Sequence, residues 1–118
     1  MRNFKNYDIW IDGIELSDVI YDLCEKFPQK EIYQLESQME RAAVSIPSNI
    51  AEGAGRRSVA EFAHFLDIAL GSAYELETQL IIAHRRKYIS DELFNQTDDT
   101  LVSLQKRIGT FISQITNK

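Results

Sequence analysis

The chain has 118 residues, 44% hydrophobic and 26% charged, the proportions of a globular protein and not of a disordered one. Its 13 Lys and Arg stand against 18 Asp and Glu, a formal charge of −5, which disfavours general affinity for DNA, RNA or anionic lipid because phosphate attraction needs clustered basic side chains. The length implies one domain over residues 1–118, and no apolar run approaches the roughly 18 residues of a membrane span.

The N-terminal MRNFKNYDIW has no apolar h-region, so it reads as part of the fold and not as a signal peptide. A first helix is expected from Asp8 to Lys26, closed by Phe27–Pro28, since the residue before a proline avoids the helical region. Ile9, Gly13, Leu16, Ile20, Leu23 and Phe27 step by four and three along it, and so do Trp10, Ile14, Ser17, Tyr21 and Cys24. Two adjacent seams are more than one bundle neighbour needs, and the surplus points to self-association. Cys24 is the only cysteine. An intrachain disulfide is thereby excluded, and a reducing cytoplasm fits.

A second helix is expected from Gln29 to Gly55, with Ile32, Leu35, Met39, Ala43, Ile46 and Ile50 on its apolar side. Pro47 lies inside it. One reading ends a helix at Ser45 and starts another at Pro47. The favoured reading is a single helix kinked at Pro47, because the apolar spacing keeps phase from Met39 through Ile50 and a helix carries a proline when the freed carbonyl finds a donor. Gln34, Gln38, Arg41, Ser45, Ser48 and Glu52 share one face, with Asn49 beside it. Short hydroxyls and amides with one arginine suit a close approach of backbones; a solvated face normally carries Lys and Glu. The Gly53–Gly55 run reads as a helix end and turn.

Ser58 and Glu61 form a capping box for a third helix, whose seam is Phe62, Leu66, Ala69, Ala73, Leu76, Leu80 and Ala83. Ser90 caps a fourth, with Phe94, Thr97, Leu101, Leu104, Ile108, Phe111 and Ile115 as its seam. Period-two alternation is absent, so no strand is expected. The fold class is all-α: an antiparallel up-down-up-down four-helix bundle with left-handed packing.

At the motif level, QMERAAVSIPSNIAEGAGR followed by FAHFLDIALGSAYELETQL resembles the four-helix-bundle proteins encoded by 23S rRNA intervening sequences in bacteria. The resemblance runs from Tyr7 through Tyr88, with the fourth helix matching in pattern only. It carries over to Arg41, Ala42, Ser45, Ile46, Asn49, Ile50, Ala51, Glu52, Gly53, Gly71, Ser72, Glu75, Leu76, Glu77, Gln79 and Leu80. It implies assembly into a ring-shaped homopentamer. Similar bundles accompany diversity-generating retroelements and act there with a reverse transcriptase and RNA. Those are strongly basic, whereas this chain is acidic and has Glu40 where the pattern often has a second arginine.

Enzyme chemistry finds little support. Glu61 and His64 have the Glu-x-x-His spacing of a di-metal bundle, but Ile81 stands where His84 would need a second glutamate. Glu61 serves better as a cap, and His64 and His84 as surface or helix-flank residues. The glycine run lacks the lysine and threonine of a P-loop, and Cys24 reads as a small core residue. No catalytic residue, metal or cofactor is expected.

The expected interface comprises Trp10 and Tyr21 on the first helix, Gln38, Arg41, Ser45, Ser48, Asn49 and Glu52 on the second, and Glu75 or Glu77 as a partner for Arg41, since an unpaired buried charge is costly. Arg56, Arg57, Arg85, Arg86 and Lys87 are candidate nucleic-acid contacts. They lie at opposite poles of a bundle and equally suit helix C-termini; a ring of copies would gather each cluster into a basic annulus. The expected function is a cytoplasmic assembly or adaptor module that partners itself and nucleic acid or a nucleic-acid-processing protein. The alternative is a purely structural mobile-element product that binds no nucleic acid.

Overall fold

A computed structural model describes residues 2–117. Among them are four α-helices and no strand: α1 (Asp8–Cys24), α2 (Leu35–Ala54), α3 (Val59–Arg85) and α4 (Asp91–Thr116), with 3-10 turns at Phe4–Asn6 and Gln29–Glu31. The body measures 46 × 24 × 20 Å. Each helix packs on its sequence neighbour and α1 also packs on α4, whereas the diagonal pairs α1–α3 and α2–α4 make no backbone approach; the α2–α3 seam is the most extensive of the long seams and α1–α4 the thinnest. No helix among the described residues is long and apolar enough to cross a membrane.

The four-three spacing sets the core. Leu16, Ile20, Met39, Ile46, Ile50, Leu66, Leu76, Leu80, Leu101, Leu104 and Ile108 are its largest fully buried aliphatic side chains. The expected third-helix seam is buried throughout, while the ends of the fourth, at Phe94, Phe111 and Ile115, are half-buried. On α1 the first seam is buried. The second divides: Cys24 is wholly enclosed, whereas Ile14 and Tyr21 remain 40% and 45% exposed.

The second helix starts later than its sequence suggests. Pro28 leads into one 3-10 turn, and α2 begins only at Leu35. Gln34, at φ −122° and ψ −105°, supplies no side-chain cap. Ile32 faces outward, and Tyr33 is 93% exposed. A long-range contact accounts for the difference: Tyr88 Oη donates to Glu31 Oε2 at 2.7 Å, and its ring packs on Phe27. This ties the segment before α2 to the α3–α4 connection.

From Leu35 on, α2 is continuous through Pro47, which is buried. Proline has no N–H for the Ala43 carbonyl. Ser17 of α1 fills the gap: its hydroxyl lies 3.3 Å from Ala43 O and 3.1 Å from Gly13 O. The Gly13 carbonyl lies within α1, where a helical N–H serves it; the Ala43 carbonyl has lost that donor. Gly13 also lets the helices approach, since a Cβ there would sit 3.4 Å from the Pro47 ring.

The glycine run is not simply a turn. Gly53 lies within α2, and only Gly55 caps its end. A Cβ on Gly53 would lie 2.7 Å from Phe65 Cβ and 3.2 Å from the Phe62 carbonyl, so the glycine marks a close approach of α2 and α3. The α3–α4 connection carries the sole positive φ of a non-glycine among the described residues, Lys87 at 66°. Tyr88 N donates to Ala83 O at 3.0 Å, the longer bond of a Schellman ending.

Candidate assembly face

The outward side of α2 lies between α1 and α3 and carries most of the predicted interface residues. Ser45 and Ser72 join α2 to α3 through their hydroxyls, 2.8 Å apart. One turn on, Asn49 Nδ2 donates to Ser45 O at 2.8 Å and Ser45 Oγ at 2.9 Å. This network ties α2 to α3, and among the described residues no donor reaches the Asn49 side-chain oxygen.

Arg41 stands at the junction of two surface clefts. One, of about 490 Å³, is lined by Gln38, Arg41, Ala42, Ser45, Ser72 and Glu75. The other, of about 550 Å³, is lined by Tyr21, Ser37, Glu40, Arg41, Val44, Ser45, Ser48 and Asn49. Among the described residues the guanidinium donates to Ser37 Oγ alone, at 3.3 Å. Within the chain it pairs with neither predicted glutamate. Glu75 shares its cleft and accepts from Gln79 at 3.4 Å. Glu77 lies elsewhere: it accepts from Gln105 of α4 at 2.9 Å, because residues two apart on a helix point in different directions. Glu77 therefore serves the α3–α4 seam.

The remaining candidates are placed as follows. Trp10 is half-buried, its ring packed edge-to-face on Phe4 with centroids 5.2 Å apart, and Ser48 is exposed. Glu52 is engaged with Arg56 at 2.8 Å, a surface pair one turn apart. Burial, then the neighbouring Glu36, raises the Glu40 carboxyl above its ordinary range.

The basic candidates do not form one patch. Arg56 lies over the Phe65 ring, 4.5 Å from its centroid. Arg2 donates to the Ala54 and Arg56 carbonyls and lies over Phe62, completing the end of α2. Arg57 is exposed there, and Arg85, Arg86 and Lys87 are exposed at the far end of α3, about 40 Å away along 27 residues.

Sites of possible catalysis are engaged structurally. Glu61 closes the cap of α3, its N–H donating to Ser58 Oγ and its carboxylate accepting from that hydroxyl, both at 3.1 Å. His84 lies 2.7 Å from Asp91 and stacks on Phe94 at 4.2 Å, while His64 is exposed. Among the described residues no group of three or more His, Cys, Asp or Glu is placed to hold a metal. Burial pushes the Cys24 thiol up to about 12, leaving it far from a reactive thiolate.

Sequence reasoning passed over Asp98. Its Oδ1 is buried without a hydrogen-bond partner, and burial followed by contact with Glu77 pushes its carboxyl up to about 6. Its one legible sign was its place directly after the seam residue Thr97.

A family model described as 23S rRNA-intervening sequence protein matches residues 5–110. A crystal structure of a protein of unknown function from the S23 ribosomal protein family of Bacteroides thetaiotaomicron is similar at 26% identity and a TM-score of 0.82, covering 88% of this chain and 97% of that one. No curated protein matches the chain.

Proposed function

The chain belongs to the 23S rRNA-intervening sequence protein family, and we propose that it works there as a non-enzymatic assembly module, a cytoplasmic bundle that joins copies of itself into a homopentameric ring. The observation that carries this is a pair of unlike faces. Ile14 and Tyr21, at 40% and 45% exposure, share one face of α1, and Tyr21 lines an Arg41 cleft with Val44, while Tyr74 and Ile81 are exposed on one face of α3. Since α1 and α3 are diagonal, these faces point different ways. Unlike faces that fit one another make a head-to-tail contact, which closes into a ring when the rotation allows. The number five follows the family resemblance. An antiparallel up-down-up-down course is supported by contacts running in opposite senses: Gly13 meets Pro47 while Ser17 meets Ala43, and Asp12 pairs with Arg107 at 2.6 Å.

Arg41 is the centre of the proposed contact; because Glu75 lines the same cleft, its expected ion-pair partner is a carboxylate on the unlike face of a neighbouring copy. The test is sedimentation velocity at micromolar concentration. Wild type is expected to sediment as one closed oligomer, and Arg41→Glu as smaller species with unchanged helicity. A monomeric wild type refutes the assignment.

The proposed role in the cell is an adaptor that holds nucleic acid or a nucleic-acid-processing protein. The engagement of Arg2 and Arg56 in helix-end and ring contacts favours a second reading, a structural mobile-element product without nucleic-acid binding. Both readings expect generic duplex to bind no tighter than about 10⁻⁴–10⁻⁶ M at physiological salt. Fluorescence anisotropy with family rRNA separates them: nanomolar binding lost on Arg57→Ala or Arg86→Ala selects the adaptor.

A further inference from the structure

The α1–α4 seam is the thinnest side of the bundle, and a groove of about 470 Å³ opens in it, lined mostly by apolar surface. Leu16 and Leu23 lie buried at its base, Val19 is 41% exposed, and Leu93 is half-buried. Asp22 and Glu25 line it too, with Lys26 as the lone cation among the lining residues. Around it Glu15 and Asp18 on α1 and Glu92 and Asp99 on α4 are exposed carboxylates, and neither α1 nor residues 91–105 holds a basic residue. The one ion pair of described residues across this seam, Asp12 with Arg107, lies further along, beyond the groove. The groove thus joins an apolar floor to a rim of net negative charge.

From this juxtaposition we infer that the α1–α4 groove is a docking site for a cationic amphipathic helix of a partner protein. Charge complementarity selects the sign, because a basic face relieves the repulsion among the carboxylates. The floor selects the helix. Thr97 is buried and the Thr100 hydroxyl is committed to the Gln96 carbonyl, so an extended backbone would find few partners for its own N–H and C=O groups, whereas a helix satisfies them internally. Leu16 to Lys26 spans about 15 Å, room for two to three turns of partner helix with apolar anchors at i, i+4 and i+7 and Lys or Arg beside them. The groove lies off the Tyr21–Val44 and α3 faces assigned to self-assembly, so both contacts can be made at once.

Fluorescence anisotropy on the full chain tests this with labelled Leu/Lys peptides of about four helical turns. One has all its leucines on a single helical face; a second has the same composition rearranged to leave no apolar face. The first is expected to bind in the micromolar range and the second more weakly. Asp22→Lys is expected to weaken binding about ten-fold or more, as like charges are brought together. Asp8→Lys, exposed at the start of α1 and about 21 Å along the helix from Asp22, makes the same change in net charge and is expected to act less than about three-fold, being beyond the Debye length of about 8 Å. Val19→Gln is expected to weaken binding with the thermal midpoint kept. Equal binding of the two peptides, or equal effects of Asp22→Lys and Asp8→Lys, overturns the site in favour of general charge attraction. A change in the sedimentation of unliganded Asp22→Lys or Val19→Gln places a second copy in the groove and also overturns it.

Discussion

Replacing Ser17 with alanine removes the one side-chain donor at the carbonyl that Pro47 frees. Ala43 is fully buried, so water does not replace the 3.3 Å contact. A buried acceptor left without a donor costs about 1–3 kcal/mol, and at about 4 °C per kcal/mol for a domain of this size the thermal midpoint is expected to fall by about 4–12 °C. The cause is isolated by repeating the change in a Pro47→Ala background. There residue 47 regains an N–H, the Ala43 carbonyl regains its helical donor, and the hydroxyl becomes redundant. Pro47→Ala alone combines a restored bond with lost packing against Gly13, but the double-mutant cycle cancels that contribution. In the Pro47→Ala background the cost of Ser17→Ala is expected to shrink to within about 0.5 kcal/mol. Urea unfolding followed by circular dichroism measures all four proteins, at one fixed concentration because self-association shifts apparent stability. Equal costs in the two backgrounds would refute the role given to Ser17.

Gly53→Ala is expected to destabilise by about 1–3 kcal/mol through overpacking against Phe65 and Phe62. Gly71→Ala, where a Cβ meets nothing within 4 Å, is expected to stabilise the isolated bundle by about 0.5–1 kcal/mol; urea midpoints read both. Lys87→Gly is expected to raise the thermal midpoint, because glycine accepts the positive φ that lysine occupies at a cost of about 1 kcal/mol. The raised Asp98 carboxyl sets a pH dependence. A group whose folded pKa lies above its ordinary value of 3.8 contributes stability that is complete below 3.8 and is lost as pH rises through about 6. Asp98→Asn is therefore expected to stabilise the protein at pH 8, with the gain shrinking through pH 6 and vanishing near pH 4, measured as urea midpoints across that range.

What the sequence made legible is what depends on periodicity. The α3 seam from Phe62 to Ala83 and the continuity of α2 through Pro47 both follow from apolar residues holding phase. The Ser58 cap was equally plain, since its partner Glu61 lies three residues away. Features resting on contacts between distant segments were not legible. Residues 29–34 looked helical because nothing local announces that Tyr88 holds Glu31. Gly53 looked like a turn because only the position of Phe65 shows the lack of room. Ser17 sat among apolar neighbours with no sign that its acceptor lies on another helix. At the candidate face, the spacing put Asn49 beside the stripe of Ser45 and Ser48 but did not show its bonds to Ser45. The link to Ser72 and the separation of Glu77 from Arg41 needed the packing of α3 against both its neighbours.

The ring of helix contacts closes at α1–α4, the pairing with the greatest sequence separation and the thinnest seam. Joining α2 to α3, or α3 to α4, closes a short connection; joining α1 to α4 draws together segments with two whole helices between them, at a higher cost in chain entropy. The expected order of assembly has α2 and α3 zipping first across the extensive seam through Gly53 and Ser45, and α4 meeting α1 last. In the native protein the same seam is the place where the least contact must be lost for the structure to open. Excursions that part α1 from α4 would bare Leu16 and Leu101 before α2–α3 is disturbed, making this side of the molecule its breathing edge.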